Sequence, residues 1–259
     1  MLNSGLFRRQ NRKDWGVGDQ VIARAKLTLS LRVTGVRDDG FHLIDAVMVA
    51  LDLHDTLHLD PRGETRLTID GTYANGVPTD SSNLVHRALQ LAGRAAHVRI
   101  TKEIPHGGGL GGGSSDAAAA LAWGGYHDLV GASRLGADIP FCLSGHERAR
   151  VSGIGEIVER IAPQPGTVTL IIPPLSASTP AVYRAWDALG GPRAEGDNDL
   201  EPAALVVVPE LERWRDRIRE AAGRAPTLAG SGATWFIDGD HGHIADALAG
   251  AHVVVTGRG

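Results

Sequence analysis

The chain has 259 residues, of which 42% are hydrophobic, and a formal net charge of −4. This mildly acidic balance provides no basic field that would attract nucleic acid, and no apolar run approaches the ~20 residues that a membrane helix requires. Cys142 is the single cysteine, so an internal disulfide is excluded and we expect a cytoplasmic protein. The length and the hydrophobic content fit a globular protein, and we favour two domains.

The first twenty residues carry a cluster of arginine and lysine with no apolar stretch behind it. They therefore lack the pattern of a secretory signal. We predict a flexible extension over residues 1–20, with its basic side chains in solvent.

Strand and helix patterns precede a glycine-rich segment. Alternating or apolar runs predict strands at 21–34, 46–53, 56–59, 66–69 and 96–101, with a turn at 34–40. Leu84, Ala88 and Leu91 recur at helical spacing, which predicts a helix at 83–94 that residues 80–83 can cap.

The segment from Pro105 to Asp116 places six glycines and two serines directly ahead of an alanine-rich helix that we predict from about Ala117. Glycine can take positive φ, so consecutive backbone N–H groups can turn toward one anion. Ser114, Ser115 or Asp116 can cap the helix, whose free N–H groups and dipole favour negative charge. The segment therefore predicts a phosphate site, which we call the polyglycine loop (105–115).

Better-known phosphate loops do not fit this segment. A Walker A loop requires a lysine after its last glycine, whereas Gly113 is followed by Ser114. A Rossmann fingerprint requires an acidic residue at a strand end about 20 residues later. Asp138 lies near that distance, but it precedes Pro140 in a turn-like sequence. A plain linker is the remaining alternative, and linkers are rarely followed by a clean helix start.

The second half begins after a turn at 136–141 and a hairpin through 148–151 and 156–161. Two prolines and a glycine within 162–166 predict a domain boundary, which gives domains at 21–164 and 165–259. Beyond it we predict a strand at 167–172, a helix at 179–188, one or two helices within 203–222, a small-residue turn at 229–233, a strand at 234–237, a helix at 244–248 and an edge strand at 252–256. This order indicates an α+β unit.

Four separated segments, in this order, resemble the GHMP kinases. They are 25–31 with the Asp-Gly-Phe-His sequence at 39–42, the stretch 105–118, the stretch 135–141, and the stretch 228–233; the sequence at 198–201 adds to the match. The opening pair of motifs is similar to the branch of this superfamily that acts on a cytidine-diphosphate derivative of methylerythritol.

The resemblance implies an α+β, two-domain GHMP kinase fold. Its N-terminal domain would be like domain 2 of ribosomal protein S5, its C-terminal domain would be ferredoxin-like, and the active site would lie between them. It also implies transfer of the γ-phosphoryl group of ATP to a tertiary 2-hydroxyl in the non-mevalonate isoprenoid route. The partner would be a small molecule, with no nucleic acid and no membrane, and the protein a monomer or weak homodimer.

The resemblance also implies roles for single residues. ATP would lie on the polyglycine loop, at Pro105, Gly107, Gly108, Gly109, Leu110, Gly111, Gly112, Gly113, Ser114 and Ser115. The hydroxyls of Ser114 and Ser115 are candidate ligands for Mg²⁺. Lys26 and Asp138 would be catalytic, with Asp138 as proton acceptor and Lys26 as charge stabiliser.

The substrate residues implied by the resemblance lie outside the loop. Phe41 would stack on cytosine, His42 would hydrogen-bond its edge and Tyr183 would close the other face. Thr28, Asp138 and Thr179 would also contact substrate. Three departures from the family pattern are Thr28, where asparagine is usual, Phe41, where tyrosine is commoner, and a short interval between residues 116 and 138. The turn at 230–232 would support the loop, and we expect an exposed loop rather than a metal site at 241–243.

Two alternatives stay open from the sequence. One is another GHMP enzyme, such as a homoserine, mevalonate or galactose kinase, against which the sequence at 39–42 argues. The other is a non-catalytic nucleotide-binding protein, against which the presence of both Lys26 and Asp138 argues.

Overall fold

The computed structural model describes residues 18–259, and residues 1–17 of the predicted extension lie outside them. The first half forms a sheet of six strands: β1 (Asp19–Val36), β2 (His42–Pro61), β3 (Arg66–Asp70), β4 (Ala96–Thr101), β5 (Arg148–Gly153) and β6 (Ile157–Arg160). β1 pairs with β2 along its whole length, while β4 and β5 pair with different segments of the opposite edge of β2. The parallel partner of β4 is β3, and β5 continues into β6 as the predicted hairpin.

β2 corrects the prediction of two separate strands at 46–53 and 56–59. In the sequence, the alternation of apolar and polar residues breaks at His54 and Asp55, yet the strand continues through them. Asp55 is fully buried, and its carboxylate accepts hydrogen bonds from the backbone N–H groups of Glu103 and Ile104. A buried polar group with its partners in place does not end a strand.

Four helices accompany this sheet: α1 (Leu84–Leu91), α2 (Gly112–Trp123), α3 (Leu129–Ser133) and α4 (Ile139–Ser144). Asn83 caps α1 through a 2.9 Å hydrogen bond from the Val85 N–H. The predicted start of α2 near residue 117, with a side-chain cap, is wrong. The helix begins at Gly112, and Gly111, which has φ +70°, occupies the N-cap position. The predicted turn at 136–141 is also wrong in its second part, since Pro140 lies in the first turn of α4, where proline is tolerated.

The second half has β7 (Gly166–Ile172), α5 (Thr179–Ala188), α6 (Glu201–Val207), α7 (Glu210–Ala222), β8 (Thr227–Leu228), β9 (Trp235–Asp238), a 3₁₀ helix (Gly242–Leu248) and β10 (His252–Arg258). Its sheet is antiparallel, in the order β10-β7-β9-β8. The last residue of β10 also pairs with β2, through Arg258 and Leu51. The α+β class is as predicted, and the division into domains near residue 164 stays a prediction.

A shared hydrophobic core positions the polyglycine loop between the two halves. This core joins Leu27 of β1 and Leu51 of β2 to Leu110 of the loop and Leu170 of β7, all completely buried. Because one core supports the loop from both halves, the loop lies where the two sheets meet.

Candidate active site

A cleft of about 570 Å³ opens between the two halves. Several of the predicted site residues line it from the first half, namely Lys26, Thr28, Phe41, His42, Gly109, Ser114 and Asp138. Thr179 and Tyr183 line it from the second half, together with Ser231. The structure therefore gathers residues that are far apart in the sequence around a single cavity.

The polyglycine loop leaves the N-terminus of α2 without a side-chain cap. Gly107, Gly109 and Gly111 all have positive φ, between +70° and +79°. The helical ladder begins with the Ser115 N–H, which donates to the Gly111 carbonyl at 2.8 Å. The N–H groups of residues 112–114 precede this ladder, and such first-turn amides, with the helix dipole, form an anion site.

The loop packs against the small-residue turn at 229–233. The Thr234 N–H donates to the Gly108 carbonyl at 3.2 Å. A Cβ added to Gly109 would lie 2.7 Å from the Ala229 carbonyl oxygen, and one added to Gly108 would lie 2.8 Å from Thr234 Oγ1. Only glycine permits this approach, so the second half holds the loop in place.

Lys26 and Asp138 meet in the cleft. Lys26 Nζ lies 3.2 Å from Asp138 Oδ2 and 3.3 Å from Thr28 Oγ1. Lys26 is 4% exposed, and its backbone N–H donates to the Leu110 carbonyl, which ties β1 to the polyglycine loop. A Cβ on Gly111 would lie 2.7 Å from Lys26 Cγ, so the lysine reaches the cleft by passing directly beside the start of α2.

Aromatic rings line a second part of the cleft, which we call its ring end. Phe41 is 57% exposed, which excludes core packing as its role. The His42 ring lies 4.5 Å from that of Tyr183, tilted by 32°. His42 Nε2 lies 2.8 Å from Asp187 Oδ1, and because a carboxylate can only accept, Nε2 carries a proton there. Burial, with a smaller effect from the Asp138 charge, raises the pKa of Tyr183, so it stays a neutral phenol.

Some predicted residues do not face the cleft. The Ser115 hydroxyl donates to the Arg24 carbonyl at 2.6 Å, and Ser115 is 2% exposed. Its hydroxyl is therefore engaged between α2 and β1 rather than at a phosphate. Pro105 is buried at the start of the loop. Thr179 lies at the cleft, but its hydroxyl is 2.8 Å from that of Ser231 and joins α5 to the turn at 229–233.

The sequence analysis missed Asp187 and Arg184, which also line the cleft, and it gave Ser231 only a supporting role in the turn at 230–232. Asp187 lies four residues after Tyr183 on α5, so the two side chains share one helix face, and that spacing could have indicated it.

The histidine-containing turn at 241–243 does not line the cleft. The rings of His241 and His243 are 5.9 Å apart. Within residues 18–259 no group of three or more His, Cys, Asp or Glu side chains could hold a metal ion. Within the same residues no helix is long and apolar enough to cross a membrane.

The sequence can be compared with those of known proteins. Residues 83–146 match the family described as GHMP kinases N terminal domain. The chain is similar to 4-diphosphocytidyl-2-C-methyl-D-erythritol kinases from Cereibacter sphaeroides (37% identical over 245 residues, 84% of this chain and 88% of the relative) and Paracoccus denitrificans (38% over 237 residues, 83% and 84%).

Solved structures are similar over nearly the whole chain. A crystal structure of 4-(cytidine 5'-diphospho)-2C-methyl-D-erythritol kinase is 31% identical, with a TM-score of 0.73 over 93% of this chain and 99% of its own. A putative homoserine kinase from Listeria monocytogenes shares the fold, with a TM-score of 0.57 at 17% identity over 92% of this chain and 95% of its own. The chain belongs to the 4-diphosphocytidyl-2-C-methyl-D-erythritol kinase family of the GHMP kinases.

Proposed function

We propose that the chain transfers the γ-phosphoryl group of ATP to the 2-hydroxyl of 4-diphosphocytidyl-2-C-methyl-D-erythritol, a step of the non-mevalonate isoprenoid route. The observation that carries the proposal is the 3.2 Å contact between Lys26 Nζ and Asp138 Oδ2 inside the cleft. This pair lines the same cleft as the N-terminal end of α2 and the paired rings of His42 and Tyr183. A phosphate donor and a nucleobase-bearing acceptor fit these two ends.

The polyglycine loop holds the phosphates of ATP in this proposal. In phosphoryl transfer the protein mainly positions the reactants and stabilises charge, and it takes little part in covalent chemistry. The N–H groups of residues 112–114 supply fixed donors, and the dipole of α2 adds to their effect. The contacts of the loop with Ala229 and Thr234 keep these donors oriented before ATP arrives.

Mg²⁺ fits this site with few protein ligands. It is commonly held by one or two protein oxygens together with substrate phosphates and water. The Ser114 hydroxyl lines the cleft and could supply one such oxygen, whereas that of Ser115 is engaged with Arg24. When bound, the ion neutralises charge on the phosphates. Ser114 is therefore our candidate protein ligand of Mg²⁺, and Ser115 is not.

Asp138 and Lys26 act on the acceptor hydroxyl. The Asp138 carboxylate accepts the hydroxyl proton as the oxygen attacks phosphorus. The Lys26 ammonium lowers the energy of the developing alkoxide and offsets charge on the transferring group. Its low exposure strengthens that effect, because water screens it poorly.

Cytosine binds at the ring end of the cleft in this proposal. Since Asp187 accepts from His42 Nε2, Nδ1 of the neutral imidazole is an acceptor that suits the amino group of cytosine. The exposed ring of Phe41 can stack on the base, and Tyr183 supports His42 from behind. Thr28 lies beside Lys26, where it can contact the acceptor.

The test is ADP release from Mg²⁺-ATP with a panel of acceptors. We expect turnover with the cytidine-diphosphate substrate and none above background with methylerythritol phosphate, homoserine, mevalonate or galactose. Equal turnover with and without the cytidine group would contradict the role of Phe41 and His42. ATP binding without ADP release from any acceptor would favour the non-catalytic alternative.

A further inference from the structure

A buried ion cluster lies directly behind the polyglycine loop. Lys102 Nζ donates to Asp55 Oδ2 and, at 2.6 Å, to Asp116 Oδ2. The side chains of Lys102, Asp55 and Asp116 are 3%, 0% and 5% exposed, respectively. None of the three lines the cleft, so the function proposed above does not use them.

The cluster joins the two ends of the polyglycine loop to the sheet. Lys102 follows β4 and precedes the loop, Asp116 lies just inside α2 after the loop, and Asp55 belongs to β2. Asp55 Oδ1 also accepts from the N–H groups of Glu103 and Ile104, at 2.6 and 2.8 Å. The Lys102 ammonium of the incoming segment therefore connects Asp116 of the outgoing segment to Asp55 of the sheet.

The loop depends on such fixed ends because it has few side chains of its own. Glycine residues lose much conformational entropy when they are ordered. A Cβ on Gly112 would lie 3.3 Å from Lys102 Nζ, so the ammonium lies directly beneath the first helical residue, whose N–H belongs to the anion site. A shift of Lys102 would move that amide.

Stability alone does not explain the cluster. Burying charges is costly, and apolar replacements of buried ion clusters are often neutral or stabilising. Asp116 Oδ1 is buried without a hydrogen-bond partner among residues 18–259, and two carboxylates share a single ammonium. An arrangement that costs stability is expected where geometry is needed for function.

We propose that Lys102 is a positioning residue for ATP: by holding Asp55 and Asp116 together, it keeps the amides of residues 112–114 directed at the phosphates. This inference rests on the proposed function, because that function assigns ATP to the loop. The Lys102 side chain is buried and does not line the cleft, so it would act through the loop.

The first test compares Lys102→Met with Ile218→Ala. Ile218 is completely buried in α7 and does not line the cleft, so its truncation lowers stability without touching the site. We expect Lys102→Met to raise both the Kd of ATP, measured by calorimetry without the second substrate, and the KM of ATP on the order of tenfold, as a loss of preorganisation should. The KM of the cytidine substrate should stay within about twofold. A similar rise of the ATP constants in Ile218→Ala would overturn the proposal.

A second variant removes the charges while keeping volume. In the triple variant Lys102→Met, Asp55→Asn and Asp116→Leu, the asparagine oxygen can still accept from the N–H groups of residues 103 and 104. We expect its melting temperature to recover relative to Lys102→Met while ATP binding stays weak. ATP affinity equal to that of the wild type would show that ATP binding does not need the ion cluster, and would refute the positioning role of Lys102. If Lys102→Met does not fold, the triple variant carries the test.

The two proposals fail in different ways. Wild-type protein that binds ATP but phosphorylates no acceptor refutes the proposed reaction, and the ATP dissociation constants still test Lys102. Unchanged ATP constants in an active Lys102→Met enzyme refute only the positioning role. Absence of ATP binding by the wild-type protein refutes both.

Discussion

Replacing Asp138 with asparagine should remove most of the turnover while leaving the cleft intact. Asparagine keeps the size of the side chain but cannot accept a proton at the required step. A positioned general base contributes about 10²–10⁴-fold, or roughly 3–5 kcal/mol of transition-state stabilisation. Because Lys26 keeps Thr28 as a neighbour at 3.3 Å, the buried ammonium is not left without a polar partner. We therefore expect the loss in kcat, with the KM of both substrates changed by less than about threefold.

The assay is steady-state ADP release with the cytidine-diphosphate substrate at saturating Mg²⁺-ATP. Asp52→Asn is a matched control, because its side chain is 73% exposed and does not line the cleft. A kcat of Asp138→Asn within about threefold of the wild type would refute its role as the base, since so small a change lies far below the contribution expected of one. The double variant with Lys26→Met should lose less than the product of the two single effects, because both residues serve one proton transfer.

Three further predictions concern Gly111, the ring end of the cleft and the thiol of Cys142. Gly111→Ala should lower the melting temperature and weaken ATP binding in calorimetry, because Gly111 has φ +70° and the new Cβ would lie 2.7 Å from Lys26 Cγ. His42→Ala and Asp187→Asn should each raise the KM of the cytidine substrate without changing the KM of ATP, since both act at the ring end of the cleft; a change in the KM of ATP instead would contradict this. Burial raises the pKa of Cys142 to about 12, so thiol reagents should label the folded protein slowly at pH 8 and faster as pH rises. Because this native pKa exceeds that of the unfolded chain, about 8.5, the thiol's contribution to stability is complete below about pH 8.5 and is lost gradually as pH rises to about 12.

The fold could be predicted closely where local patterns agreed with burial. The helix at 179–188 coincides with α5, because its apolar spacing and its proline at the start are local signals. The start of α2 was misplaced by five residues, since glycine has low intrinsic helix propensity and only the tertiary packing of the loop makes Gly112 and Gly113 helical.

The site could be predicted only in part, because most of its residues are brought together by tertiary packing that no local pattern shows. The glycine-rich composition of the polyglycine loop by itself indicates phosphate binding. Lys26 and Asp138, read singly, are an ordinary strand lysine and a turn residue, and only the ordered resemblance to a family brought them together. Lys102 gave no such signal, because its importance comes from Asp55 and Asp116, which the sequence pattern does not connect with it. Asp187 offered only its spacing from Tyr183, since its partner His42 lies 145 residues away.

A stretch of β1 that is buried on both faces explains how Lys26 enters the site. Residues 25–28 are all buried, whereas a regular strand at the surface of a domain alternates between buried and exposed residues. Leu27 packs in the core beneath the loop, while Lys26 and Thr28, on the opposite face of the strand, line the cleft. Because side chains alternate along a strand, a shift of this stretch by one residue would exchange its two faces. Such a shift should therefore turn the Lys26 ammonium away from Asp138.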